Sequence, residues 1–237
     1  PEYNGYKVYD HTGGQIVSEF ARRVSEAIAS VDPFDGVRRS SLEEGLQNGS
    51  IEYLTQEFID GYIEAVLRLQ LEPGIFRKIA YSPLNGAGHK SVIAALSRAG
   101  LEEIYVVADQ SRPNGDFPTC PSPNPENPDT MKMTLDLGRY IQADIAFATD
   151  PDSDRIGVAA PEADGSWRLF TGNELGVLLL DYICRQRTAQ GTMPRNPVAV
   201  MSIVSTPMAA RVAEHWGVEM RRVLTGFKYI GDVMNQL

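Results

Sequence analysis

Three aspartates stand at alternate positions in the run Asp150-Pro151-Asp152-Ser153-Asp154-Arg155. Carboxylates this crowded cannot all be buried without partners, because each buried charge carries a large desolvation cost. Turned toward one another they make a hard, oxygen-rich site suited to Mg²⁺ or Ca²⁺. Facing water, they are a solvated acidic turn. A calcium EF-hand begins with the same aspartate spacing, but it requires Gly at its sixth position and Glu at its twelfth. Here those positions hold Arg155 and Pro161, and both flanks read as strands, so the EF-hand is excluded.

The run Gly86-Ala87-Gly88-His89-Lys90-Ser91 follows a strand pattern and opens a helix. A nucleotide-binding P-loop needs Gly directly before its Lys-Ser pair, where this chain has His89. The amides there could meet an anion, but the preferred reading is a glycine turn that lets strand and helix pack closely. His11, His89 and His215 form no metal spacing, and Cys120 and Cys184 form no metal or redox pair. Two separated cysteines fit a reducing, cytoplasmic compartment. The net charge of −9 argues against a nucleic-acid surface, which needs a basic face. The longest apolar stretch, residues 175–180, is far too short to span a bilayer, and the polar, tyrosine-rich first residues show no signal-peptide pattern. No nucleic-acid or membrane partner is expected.

Elements must carry these groups. Residues 6–9 read as a short strand, and Ile16, Phe20, Val24 and Ile28 recur at helical spacing, a stripe that predicts a core-facing helix. Residues 32–50, rich in Pro, Gly, Ser and charge, read as loop. A helix from about Thr55 buries Ile59, Tyr62, Ile63, Val66 and Leu67, and Pro73-Gly74 ends it. Beyond it strands (78–81, 104–108, 145–149, 156–160, 167–170, 198–204, 218–223) alternate with helices (89–99, 131–142, 171–187, then from 205 and from 227). Both 104–108 and 198–204 read as buried strands. Ala163-Asp164-Gly165 is a hairpin turn, and Thr171-Gly172-Asn173-Glu174 is a capping box. Residues 111–130 hold six prolines and are too long for a plain connection, so they are functional or packed over a neighbour. The expected fold class is α/β, with mixed, mainly parallel sheets sandwiched by helices.

Five stretches, in order, resemble the α-D-phosphohexomutases, the phosphoglucomutase/phosphomannomutase family. The aspartate run resembles that family's metal-binding loop. Tyr3-Asn4-Gly5-Tyr6-Lys7 is similar to the segment after its phosphoserine loop, and Ser82-Pro83-Leu84-Asn85-Gly86-Ala87-Gly88 to the opening of its second domain. Thr171-Gly172-Asn173-Glu174 resembles the start of the third domain, and Thr225-Gly226-Phe227-Lys228 a substrate loop within it. The wording of the first and last of these looks closer to the phosphoglucomutase/phosphopentomutase branch.

The resemblance implies residues 1–54 as a remnant of domain 1, 55–165 as domain 2 and 166–237 as the N-terminal part of domain 3. It implies a Mg²⁺-dependent isomerase of carbohydrate metabolism, an intramolecular phosphotransferase. Phosphate would move between C1 and C6 (or C5) of a phosphosugar substrate through a phosphoserine and a sugar bisphosphate intermediate. Asp150, Asp152 and Asp154 would bind the metal, and Arg155 would hold the phosphoryl group or merely pair with a neighbouring aspartate. Lys7 is the implied acid/base, with exposed strand lysine as its plain alternative. Thr225 and Gly226 would contact sugar hydroxyls or simply cap the final helix. No Ser-His-Asn-Pro phosphoserine loop occurs in these residues. An internal segment is therefore expected, lacking that loop and the C-terminal phosphate-binding domain and inactive alone. Two rivals share the aspartate run. One is a haloacid-dehalogenase-like phosphatase with Asp150 as nucleophile and Asp152 as acid/base, although that class favours Thr or Val at position 154. The other is a non-catalytic divalent-metal- or carbohydrate-binding module. The choice among glucose, mannose and pentose phosphates, and the oligomeric state, are not written in these residues.

Overall fold

Alternation within two short strands gives the central sheet two unlike faces. In the computed structural model, which describes residues 7–74 and 78–237, β1 (Lys78–Ser82) pairs in parallel with β2 (Glu103–Val106) on one side and with β3 (Ile145–Thr149) on the other. β4 (Ile156–Pro161) and β5 (Trp167–Phe170) continue the sheet antiparallel, giving the order β2-β1-β3-β4-β5. Ile79, Tyr81 and Phe147 face α4 (Gly88–Arg98) and pack with its Val92, Ile93 and Leu96. Ala80 and Ala146 face the other way. Their small side chains let α5 (Pro128–Ile141) lie close, with Leu135, Leu137 and Ile141 against them. Helices therefore cover both faces, as the sequence predicts.

The proline-rich stretch is packed over its neighbours. Cys120 joins Leu84, Met131 and Ala148 in a buried cluster, and Pro125 is fully buried. Thr130 Oγ1 donates to the Ser122 carbonyl at 2.9 Å and ties the loop to the first turn of α5. One expectation is corrected: residues 104–108 are not a buried strand. β2 stops at Val106, a 3₁₀ turn follows at Ala108–Gln110, and Tyr105 is 39% exposed because β2 is the sheet edge.

The chain divides into two compact units, Pro1–Leu54 with Met193–Leu237, and Thr55–Thr192. The sheet just described, α3 (Gln56–Leu67) and α6 (Gly172–Ala189) belong to the second. α3 starts one residue after its cap Thr55 and stops at Leu67, short of Pro73-Gly74. Of the five side chains expected on its buried face only Ile63 is buried; Val66 and Leu67 are half-buried, and Ile59 and Tyr62 are exposed. The first unit holds α1 (Ser18–Ala29), α2 (Leu42–Gln47) and a two-stranded parallel sheet of β6 (Val198–Ser202) and β7 (Glu219–Val223). α7 (Met208–His215) packs on β7 and α8 (Phe227–Asn235) on β6. β6 is shorter and less buried than 198–204 suggests, since Ile203 and Val204 are exposed past its end. Residues 32–50 also depart from the reading as loop, because α2 lies inside them. Of the strand expected at 6–9, Tyr6 lies outside the described residues, and Tyr9 makes an isolated bridge to Gln15. Among the described residues no helix is long and apolar enough to cross a membrane.

Candidate metal centre

Three parallel strands, β2, β1 and β3, deliver their following loops to one edge of the sheet. From β1 the chain leaves to one side into β2 and returns on the other side as β3. That makes the gap between the carboxyl ends of β1 and β3 a topological switch point, the crevice where open α/β sheets bind ligands. The loop after β3 is the aspartate run, and the loop after β1 is the glycine run.

The aspartate loop is fixed by its own bonds. Asp150 is 1% exposed. Its Oδ1 accepts from the Arg155 backbone N–H at 2.9 Å and its Oδ2 from Arg155 Nε at 2.8 Å. Across the loop, the Asp150 N–H donates to the Arg155 carbonyl at 3.3 Å, and the Ser153 N–H donates to the Asp150 carbonyl at 3.0 Å. Ser153 adopts φ +63°, the left-handed turn that reverses the chain between Asp152 and Asp154. One carboxylate oxygen from each of Asp150, Asp152 and Asp154 lies within 4.8 Å of the others. The Asp150 carboxylate raises the pKa of the Arg155 guanidinium, burial opposes it, and the charges of Asp154 and Asp152 add to the rise.

The glycine run is the seat of this loop. A Cβ on Gly86 would collide with the backbone of Pro151, so only glycine lets the two loops touch. The Ala87 N–H donates to the Pro151 carbonyl at 2.8 Å. Glycine at 86 thus serves loop-against-loop contact. At Gly88, the first residue of α4, a Cβ would come within 2.8 Å of the Tyr81 hydroxyl on β1 and 2.9 Å of Thr149 Oγ1 on β3, so there glycine lets helix and strand pack closely, as the sequence suggests. Beneath, the buried Tyr81 hydroxyl and Thr149 Oγ1 share a hydrogen bond of 2.9 Å, and burial raises the Tyr81 pKa. Above the aspartates opens a pocket of about 480 Å³. One wall is Asp150, Pro151, Asp152 and Arg155. The other is Phe117, Ser122, Pro123 and Asn124 from the proline-rich loop, a contribution sequence reasoning left unassigned. The length and proline content of that loop were its signal.

The remaining expected site residues belong to the first unit. Lys7 is exposed at the start of the described residues, while Tyr3, Asn4, Gly5 and Tyr6 lie outside them. Val8 and Lys228 line a common pocket of about 380 Å³, so the segment after Lys7 and the first turn of α8 meet. Thr225 is exposed between β7 and α8. Gly226, at φ +132°, is the N-cap of α8, with no side-chain cap bond, so Thr225 does not serve as that helix's cap.

Fold and site define an α/β/α protein with a carboxylate cluster at the switch point of its central sheet. Family models assign it further. Residues 56–165 match "Phosphoglucomutase/phosphomannomutase, alpha/beta/alpha domain II" and residues 171–237 match domain III of the same family. The chain belongs to the phosphoglucomutase/phosphomannomutase family. It is 35% identical to the probable phosphomannomutase of Haemophilus influenzae over 100% of this chain and 47% of that protein. It is 32% identical to the phosphoglucomutase of Staphylococcus saprophyticus over 98% of this chain and 42% of that protein. A solved structure from Thermus thermophilus, provisionally named a phosphomannomutase, superposes with a TM-score of 0.70 at 24% identity. That match covers 96% of this chain and 46% of the other. The chain thus spans less than half the length of these relatives. Family membership disfavours the aspartyl-phosphatase reading. Membership also disfavours the binding-only module.

Proposed function

We propose that this chain is the metal-bearing part of a phosphosugar mutase, with Asp150, Asp152 and Asp154 as the ligands of a Mg²⁺ ion. The observation that carries the reading is the convergence of three carboxylate oxygens within 4.8 Å. The donor set fits, since it is all hard oxygen and one carboxylate is already buried and oriented. When bound there, the ion offsets negative charge on a phosphoryl group in transfer. Arg155 neutralises Asp150 and lines the pocket, where its planar fork suits phosphate oxygens. Lys7 serves as the acid/base, and Thr225 and Gly226 meet sugar hydroxyls. The substrate is a sugar phosphate and the intermediate a sugar bisphosphate; since matched relatives are named for both mannose and glucose, both belong in any assay. Residues 1–54, 55–165 and 166–237 form parts of the first, second and third domains, and the setting is the cytoplasm.

Calorimetric titration of the chain with Mg²⁺, beside Asp152→Ala, tests the reading. Binding to the chain and its loss in the variant are expected; equal behaviour of the two would remove the triad from consideration. By itself the chain is expected to give no mutase turnover above a no-protein control, since positioning by the rest of the site dominates phosphoryl transfer.

A further inference from the structure

The two walls of the 480 Å³ pocket come from loops that do not adjoin in sequence, yet both are fastened to one turn, Asn85-Gly86-Ala87. Asn85 lies in the turn after β1, 5% exposed, at φ +58°. Its Nδ2 donates to the carbonyls of Asp109 at 3.2 Å and Arg112 at 2.9 Å. Its backbone N–H donates to the Gln110 carbonyl at 2.8 Å, and its own carbonyl accepts from the Asn114 N–H at 3.1 Å. These four bonds fasten the turn to the root of the proline-rich loop. From Asn114 the loop runs on through a backbone bond to Phe117, which lines the pocket.

On its other side Asn85 leads straight into Gly86 and Ala87, which press against and hydrogen-bond Pro151. Pro151 is flanked by two of the three carboxylates. The Asn85 amide also leaves Oδ1 buried with no partner among the described residues. A fold that needed only shape here would avoid an orphan acceptor. An asparagine here therefore fits a side chain whose work is done by its two N–H donors.

We propose that Asn85 is a positioning residue for cation binding. Through the turn it begins, it seats the aspartate loop by way of Ala87 and Pro151 and holds the proline-rich wall opposite, which fixes the pocket into which the three carboxylates converge. The inference rests on the reading of the triad as a Mg²⁺ site. Partners that hydrogen-bond a metal ligand directly are worth about 10–100-fold in metal affinity. Asn85 acts one contact further out, through Ala87 and Pro151, so an effect at the lower end of that range is expected.

The test is Mg²⁺ titration of the chain, Asn85→Gly and Asn85→Asp, each also melted thermally, with Leu137→Ala as a destabilised control remote from the loops. Glycine suits the left-handed backbone but lacks the amide; aspartate keeps the shape and turns donors into acceptors. Either variant that remains folded should bind up to about tenfold more weakly, while Leu137→Ala loses stability and keeps its affinity. Wild-type affinity in a folded Asn85 variant overturns the proposal, as does an equal loss in Leu137→Ala. If the unaltered chain binds no Mg²⁺, the cation reading itself fails and takes the proposal with it, an outcome distinct from the other two.

Discussion

Asp150 carries its charge where water barely reaches, and Arg155 makes that tolerable by bonding both carboxylate oxygens. Removing the guanidinium leaves a buried charge with one backbone donor, which is the costly way to break an ion pair. The Arg155 side chain is 53% exposed, so solvent screens part of the loss, and Arg155→Ala should cost about 1–2 kcal/mol in metal-free buffer. Saturating Mg²⁺ should recover much of that, because a cation at the triad supplies the missing positive charge. Thermal melts of both proteins with and without Mg²⁺ decide it; a loss that Mg²⁺ leaves untouched would count against a metal at Asp150. The aspartates were legible because their spacing is local. That Arg155 pairs with a neighbouring aspartate was one of two readings left open, without saying which aspartate, and the contact of Gly86 with Pro151 could not be read at all, since folding alone brings those loops together.

Caps were the elements' most readable feature, for the same reason of locality. Thr171 Oγ1 accepts from the Glu174 N–H at 3.3 Å and Glu174 accepts from the Thr171 N–H at 2.8 Å, as Thr-x-x-Glu predicts. Ser41 and Glu44 make the same box at α2, yet that helix is six residues long, too short to show apolar periodicity, and was submerged in a loop-like composition. Strand burial was misread at β2 because a run of apolar residues does not say which strand is the edge. The α6 box also makes an acid-dependence prediction. The Thr171 N–H, then Arg168, hold the Glu174 pKa below the ordinary glutamate value. A folded-state pKa that is depressed contributes stability that is complete above the unfolded value and is lost as the pH falls through the folded one. Glu174→Gln should therefore melt a few degrees lower than the parent at neutral pH, with the two curves meeting in acid. A gap that persists unchanged below the glutamate range would show that the charge of Glu174 is not what caps α6.

At the scale of the molecule, the alternation of strands and helices made the α/β class legible. The division into units was less so, because it depends on contacts between distant segments such as Thr12 and Asn235, which bond at 3.1 Å. The contacts described for the aspartate loop come from one unit. Arg155, Gly86, Ala87, Asn85, the Tyr81–Thr149 pair and both pocket walls all fall within Thr55–Thr192. That unit also has its own two-faced sheet and a covering helix on each face, the condition for a domain to fold by itself. Residues 55–192 made alone should accordingly fold cooperatively and bind Mg²⁺ within about threefold of the whole chain, a difference of under 1 kcal/mol. Calorimetry on the two proteins side by side measures this. A folded 55–192 that binds no metal, beside a whole chain that does, would mean that a ligand or its support comes from residues outside the unit, and the triad would then be an incomplete account of the site.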